Sequence, residues 1–97
     1  MFYIYILYSV SSDKYYVGYT NNLARRLIEH NTTDRTTYTS KHRPWIIKAA
    51  FECSITESEA IKVERFIKRQ KSRKLLELLC DPAFIPIRDL AQLVRVP

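Results

Sequence analysis

Two runs rich in β-branched and aromatic residues, Phe2–Ser9 and Tyr15–Thr20, flank a short segment holding Ser11, Ser12 and Asp13. Residues of the first kind favour strands and those of the second favour turns, so the N-terminus predicts a β-hairpin. Alternation along the strands puts Tyr3, Tyr5 and Leu7 on one face and Phe2, Ile4, Ile6 and Tyr8 on the other. On the second strand Tyr16 and Gly18 share a face. If Tyr8 pairs with Tyr15, Leu7 opposes Tyr16, Tyr5 opposes Gly18, and Tyr5 lies diagonal to Tyr16, within reach of an aromatic side chain. A slip of one residue would send the two tyrosines to opposite faces. The pattern leaves both registers open. Gly18 is the only glycine of the 97 residues. A glycine inside a strand marks a bulge or a close backbone approach.

Asn21 or Asn22 suits an N-cap, and Leu23 to His30 follows as a helix. Leu23 and Leu27 form an apolar stripe, and Arg26 and His30 form a second stripe one step round. One face therefore packs while its neighbour presents a guanidinium and an imidazole together. Asn31 to Arg43, polar and Thr-rich, reads as a loop. Trp45 to Glu52 reads as a third strand. Thr56, with Glu59 three residues on, has the capping-box pattern for a further helix. Ala60, Val63 and Ile67 make the core stripe of that helix, Glu64 falls beside it, and the basic patch Lys68, Arg69, Lys71, Arg73 and Lys74 follows. Leu75, Leu76, Leu78 and Leu79 predict a last packed helix, stopped at Asp81-Pro82. The expectation is an α+β fold, a small three-stranded antiparallel sheet flanked by helices. It occupies residues 1–80, with 81–97 as a tail that docks on the domain or contacts another chain.

Ninety-seven residues suit a single core, and 46% hydrophobic content suits a globular one. Sixteen Lys and Arg against ten Asp and Glu give a formal charge of +6, which favours a polyanionic partner. Cys53 and Cys80 have no metal-ligand spacing and read as reduced thiols. The apolar start, MFYIYILYSV, is too short to span a bilayer and lacks the flanks of a signal peptide. A cytoplasmic protein without a membrane partner is expected.

Singly, the polar residues of these elements have ordinary explanations: strand tyrosines are usually core, and a helical Glu or Arg is usually solvated. Their spacing is more specific. Tyr3-Ile4-Tyr5, Tyr16-Val17-Gly18, Arg26 ten residues after Tyr16, His30 fourteen after it, and a helical Glu64 together resemble the GIY-YIG nuclease family. The motifs read YIY and YVG here, with Tyr3 and Gly18 as motif positions. The stretch SEAIKVERFIKRQKSRK from Ser58 to Lys74 is similar to the small, stand-alone bacterial members. The likeness covers roughly residues 1–75.

The resemblance implies a metal-dependent endonuclease that hydrolyses phosphodiesters of DNA, with structure-selective cutting in repair or recombination as the expected role. It implies catalytic roles for Tyr5, Tyr16, Arg26, His30 and Glu64. Glu64 would hold Mg2+ or Mn2+, since one carboxylate with waters and phosphate oxygens is a normal magnesium shell. Arg26 would grip the scissile phosphate. Tyr5 would help activate water with Tyr16 beside it, and His30 would position groups or share a proton with Tyr5. A phenol of pKa about 10 costs about 4 kcal/mol to ionise at neutral pH, so nearby cations are required, and activity rising with pH is expected. Tyr38, in a loop similar to that of the stand-alone members, is a candidate substrate contact. Lys41, His42, Arg43, Lys68, Arg69, Lys71, Arg73 and Lys74 are candidates for phosphate contact. Three rivals stand beside this reading: a non-catalytic nucleic-acid-binding module of the same fold, an interaction module whose tyrosines are core, and a metal-independent ribonuclease that would not need Glu64.

Overall fold

The computed structural model describes residues 1–32 and 38–97. Strand β1 (Phe2–Ser9) and strand β2 (Lys14–Thr20) form the hairpin, in the register that pairs Tyr8 with Tyr15 and Tyr5 with Gly18. Asp13 closes the turn at φ 52°, and its carboxylate accepts from the Tyr8 hydroxyl at 2.7 Å and from Arg73 at 2.6 Å. Helix α1 (Leu23–Thr32) starts from Asn22, whose side chain accepts from the Arg25 N–H at 3.0 Å. A short helix α2 (Tyr38–Lys41) precedes β3 (Ile46–Ser54), and helices α3 (Glu57–Arg69) and α4 (Arg73–Cys80) follow. After a 3-10 turn at Arg88–Leu90 the chain adds β4 (Val94–Arg95).

The sheet is antiparallel with order β2-β1-β3-β4, so it has four strands where the sequence predicts three. The fourth comes from the C-terminal segment. A two-residue strand carries no periodicity of its own. It is held by tertiary contacts: Val96 N–H donates to Ala50 O at 2.8 Å, and Arg95 donates to the carbonyls of Leu79 and Asp81 at 2.8 Å each. Arg95 thereby satisfies a carbonyl at the end of α4 while its guanidinium lies 4.7 Å from the Phe51 ring. Leu90 and Leu93 are buried in the same core as Phe51.

Three other local expectations shift. The third strand runs from Ile46 to Ser54, because Trp45 is drawn out of the ladder. Its backbone N–H and C=O bond the Asn31 side chain at 2.7 and 3.0 Å. The capping box at Thr56 and Glu59 does not form: the Thr56 hydroxyl meets Ser54 Oγ at 3.2 Å and makes no bond to an α3 backbone N–H. The Asn31–Arg43 stretch contributes the end of α1 and all of α2, with residues 33–37 outside the described ones. Thr39 O accepts from the Trp45 indole at 2.7 Å, which ties α2 to the strand that follows it.

The sheet separates two cores. Ile4, Ile6, Val17, Ala49 and Phe51 pack with Val63, Ile67 and Leu79 of α3 and α4. The opposite face carries Tyr5, Leu7, Ala50 and Trp45, against Leu23 and Leu27 of α1. Helices α1 and α3 converge at the β2 edge, and a cleft opens between them.

Candidate active site

Gly18 is explained by what stands over it. A Cβ at that position would overlap the Tyr5 hydroxyl and Cζ and lie 2.9 Å from Cε2. Removing the side chain lets the Tyr5 ring cross its hairpin partner, so that the phenol reaches towards α1 instead of stopping at β2. The φ of Gly18 is not positive; space, not backbone freedom, requires the glycine here.

Tyr5 is 2% exposed and its hydroxyl lies 2.8 Å from His30 Nε2. Arg26 Nε donates to the same hydroxyl at 3.3 Å. Because an N–H of Arg26 points at the oxygen, the single phenolic proton is directed to His30, whose Nε2 accepts. Burial drives His30 down to about 4, helped by the Arg26 charge, so the imidazole is neutral at pH 7. Burial also pushes Tyr5 up to about 12, against the opposing pull of Arg26. The i, i+4 stripe of α1 is what delivers Arg26 and His30 to one phenol.

Around this trio lies a cleft of about 450 Å³, lined by Tyr5, Tyr16, Gly18, Arg26, Glu57 and Glu64 among others. Tyr16 packs edge-on against His30 with ring centroids 5.1 Å apart. Glu64 comes from α3 on the far wall. Its side chain is 15% exposed and pairs with Lys68 at 3.5 Å. All five candidate catalytic side chains thus meet at one place, drawn from β1, β2, α1 and α3. Tyr3, opposite Thr20, stands two residues nearer the sheet margin.

Among the described residues no three Asp, Glu, His or Cys side chains gather as a metal cluster. The anionic donors that face the cleft are Glu29, Glu57 and Glu64, with Glu29 paired to Arg26 and Glu57 bonded to the Tyr19 hydroxyl. His30 Nε2 is engaged by Tyr5. A hard cation that keeps most of its waters fits such a set, and a nitrogen- or sulfur-seeking metal does not.

The candidate phosphate contacts are scattered by comparison. Lys68 and Arg69 end α3, Lys71 lies in the turn, and Arg73 and Lys74 begin α4. Arg73 is tied to Asp13 and Glu77. Arg43 donates to His30 O at 3.0 Å, and so supports α1. Lys41 is exposed at the end of α2. Tyr38 stacks on Tyr16, with centroids 6.1 Å apart and planes 26° apart, and touches His42 and Trp45. Trp45 and Asn31 hold that aromatic cluster in place and were not singled out by the sequence. Nothing in local spacing marks Asn31, since its partner is fourteen residues away. Glu29, three residues after Arg26 on the same helix, stands at a spacing that suits an ion pair and pairs with Arg26 at 3.4 Å.

Residues 1–76 match the family described as the GIY-YIG catalytic domain. The chain belongs to the GIY-YIG family. Its relatives include a UPF0213 protein of Haloquadratum walsbyi, 37% identical over 78 residues, which span 77% of this chain and 85% of that one. A UPF0213 protein of Listeria monocytogenes is 40% identical over 67 residues, covering 69% and 72% of the two chains. One from Limosilactobacillus reuteri is 30% identical over 81 residues, covering 82% and 83%. Small proteins of bacteria and archaea therefore share most of this GIY-YIG chain. Among its described residues no helix is long and apolar enough to cross a membrane.

Proposed function

We propose that the protein is a metal-dependent endonuclease that hydrolyses phosphodiester bonds of DNA at the β2-edge cleft. The observation that carries this reading is the phenol of Tyr5, held between the donor Arg26 and the neutral acceptor His30 and facing Glu64 across open space. Membership of the GIY-YIG family supports it.

The chemistry needs an attacking water, a place for its proton, and positive charge at the phosphate. With Tyr5 near 12, roughly one phenol in 10⁵ is ionised at pH 7, so a standing phenolate is a poor base. The hydrogen bond offers another route. Tyr5 accepts a proton from water as its own proton passes to His30 Nε2, which is free of charge above pH 4 to 5. Arg26, 3.3 Å from the same oxygen, keeps it from drifting and presents its remaining N–H groups to a phosphate. Tyr16 packs on His30 and fixes the ring plane. Glu64 would hold Mg2+ or Mn2+, which would supply Lewis-acid stabilisation of the phosphate charge. Lysines of the rim add phosphate affinity, which reads charge and backbone shape more than sequence. The natural targets are read accordingly as DNA structures, of the kind met in repair or recombination, more than as particular sequences.

The test is cleavage of labelled duplex, nicked, flapped and single-stranded DNA, and RNA, with Mg2+ or Mn2+. The expected result is cutting that chelator abolishes and that Glu64→Gln and Arg26→Lys each lose. The relay predicts a rate nearly flat from pH 6 to 9 and falling below about 5. A tenfold rise per pH unit across that range would assign a free phenolate instead. Folded protein that binds every substrate and cuts none would leave a nucleic-acid-binding module.

A further inference from the structure

A second cavity, of about 390 Å³, lies on the other side of Tyr16 from the catalytic cleft. Tyr16 lines both, so the two share a wall. Tyr15, Tyr16 and Tyr38 give it aromatic sides, and Lys14, Lys68 and Lys71 give it cations. Resting on the nucleic-acid reading above, we propose that this cavity is a nucleobase subsite, holding the base next to the phosphate in the neighbouring cleft. The base stacks on Tyr38, and Lys71 and Lys68 take its backbone phosphates.

Three observations support the assignment. Tyr38 is 46% exposed although it belongs to an aromatic cluster, stacked on Tyr16 behind and touching His42 and Trp45 at its edge. A ring braced by aromatic neighbours and still half open to solvent is a stacking platform, and any base offers a π-face to it. Secondly, Lys68 spans the wall: its ammonium is 3.5 Å from Glu64 and 5.2 Å from the Tyr16 ring centre. Lys68 lines this cavity while its partner Glu64 lines the cleft, so its ammonium stands at the boundary between the two. Thirdly, Lys71 stands at φ 47° in the turn after α3. That conformation favours glycine or asparagine, and a β-carbon is strained there. The chain tolerates the strain and places an exposed ammonium at the cavity, where Lys14 and Lys71 have no ion-pair partner among the described residues. By contrast Arg73, the remaining cation of the lining, is occupied by Asp13 and Glu77. An acidic peptide would use the lysines but would have no need of the tyrosines.

Binding of single-stranded DNA oligonucleotides, each abasic at one successive position, tests this in chelating buffer. For the wild type, loss of one particular base weakens binding roughly 5- to 100-fold, the range for a base on an aromatic side chain. Tyr38→Ala binds the intact strand more weakly by a similar factor, and its abasic series is flat within about twofold. Tyr38→Phe keeps the signature. Lys71→Asn, which suits the left-handed backbone, weakens every strand alike and lowers the salt slope by about 0.7, with a melting temperature equal to or above the wild type's. A wild-type abasic series without a sensitive position overturns the subsite. So does polyglutamate displacing DNA from wild type and from Tyr38→Ala equally well. A base signature in a protein that never cuts would sink the nuclease and leave the subsite standing.

Discussion

The two faces of one sheet are built by different rules. On the α3–α4 face, Ile4, Ile6, Phe51, Val63, Ile67 and Leu79 pack without a buried polar side chain among them. On the α1 face, Leu7, Ala50 and Trp45 share their layer with a phenol and with His30, 3% exposed. Residues that alternate along β1 feed both: Ile4 and Ile6 go one way, Tyr5 and Leu7 the other. The first face supplies stability by burial alone. The second accepts desolvated polar groups, which it satisfies in pairs, and keeps one side open to solvent at the cleft.

The contrast breaks first under truncation of the apolar face. Ile6→Ala, wholly buried, should cost about 2–5 kcal/mol in denaturant unfolding. The folded fraction should keep its cutting rate, and a similar cost with abolished cutting would show that the faces are not separable. Next comes Glu64→Gln, with cutting lowered roughly 10²- to 10³-fold. Its melting temperature should stay within about 2 °C, because its ion pair with Lys68 is partly solvated. Gly18→Ala follows, at about 1–3 kcal/mol of overpacking against Tyr5, together with a loss of cutting as the phenol is displaced from His30. Wild-type stability with full activity would remove Gly18 from this account.

His30 sharpens the comparison through pH. Its folded form resists a proton until about pH 4, while the unfolded chain takes one near 6.5. The unfolded state binds more protons in that window, so stability falls as pH drops from about 6.5 towards 4. Between pH 7 and 5 the loss should be about 1–2 kcal/mol, and chemical denaturation of His30→Gln should lack that part of the slope. The smallest effect belongs to the rim. Lys74→Ala, exposed in the first turn of α4, should weaken DNA binding only a few-fold at low salt and leave cutting at saturation unchanged.

Much of the candidate site was legible because its residues are set by short periods. Tyr5 and Tyr16 fall on one face by the two-residue repeat, Arg26 and His30 on one helical stripe by the four-residue repeat, and Glu64 beside the stripe of α3. The hairpin register was one of two open choices. The physical reason it settles as it does is Gly18: only with the phenol of Tyr5 opposite a residue without a side chain do both strands close. Local pattern misplaced the start of β3, where Asn31, fourteen residues away, took the hydrogen bond, and the cap of α3, where the Thr56 hydroxyl turned to the neighbouring Ser54.

By itself the sequence determined the order of β1, β2, α1, β3, α3 and α4, the hairpin, the apolar stripes of α1 and α3 and the chemical types at the candidate site, since each depends on neighbours within a few residues. Only the tertiary structure decided that the C-terminal segment completes the sheet, that Asn31 and Trp45 hold the aromatic cluster, and that Tyr16 stands as a wall between two cavities. Those contacts join residues far apart in the chain. Their energy comes from burial and from hydrogen bonds that no local repeat encodes.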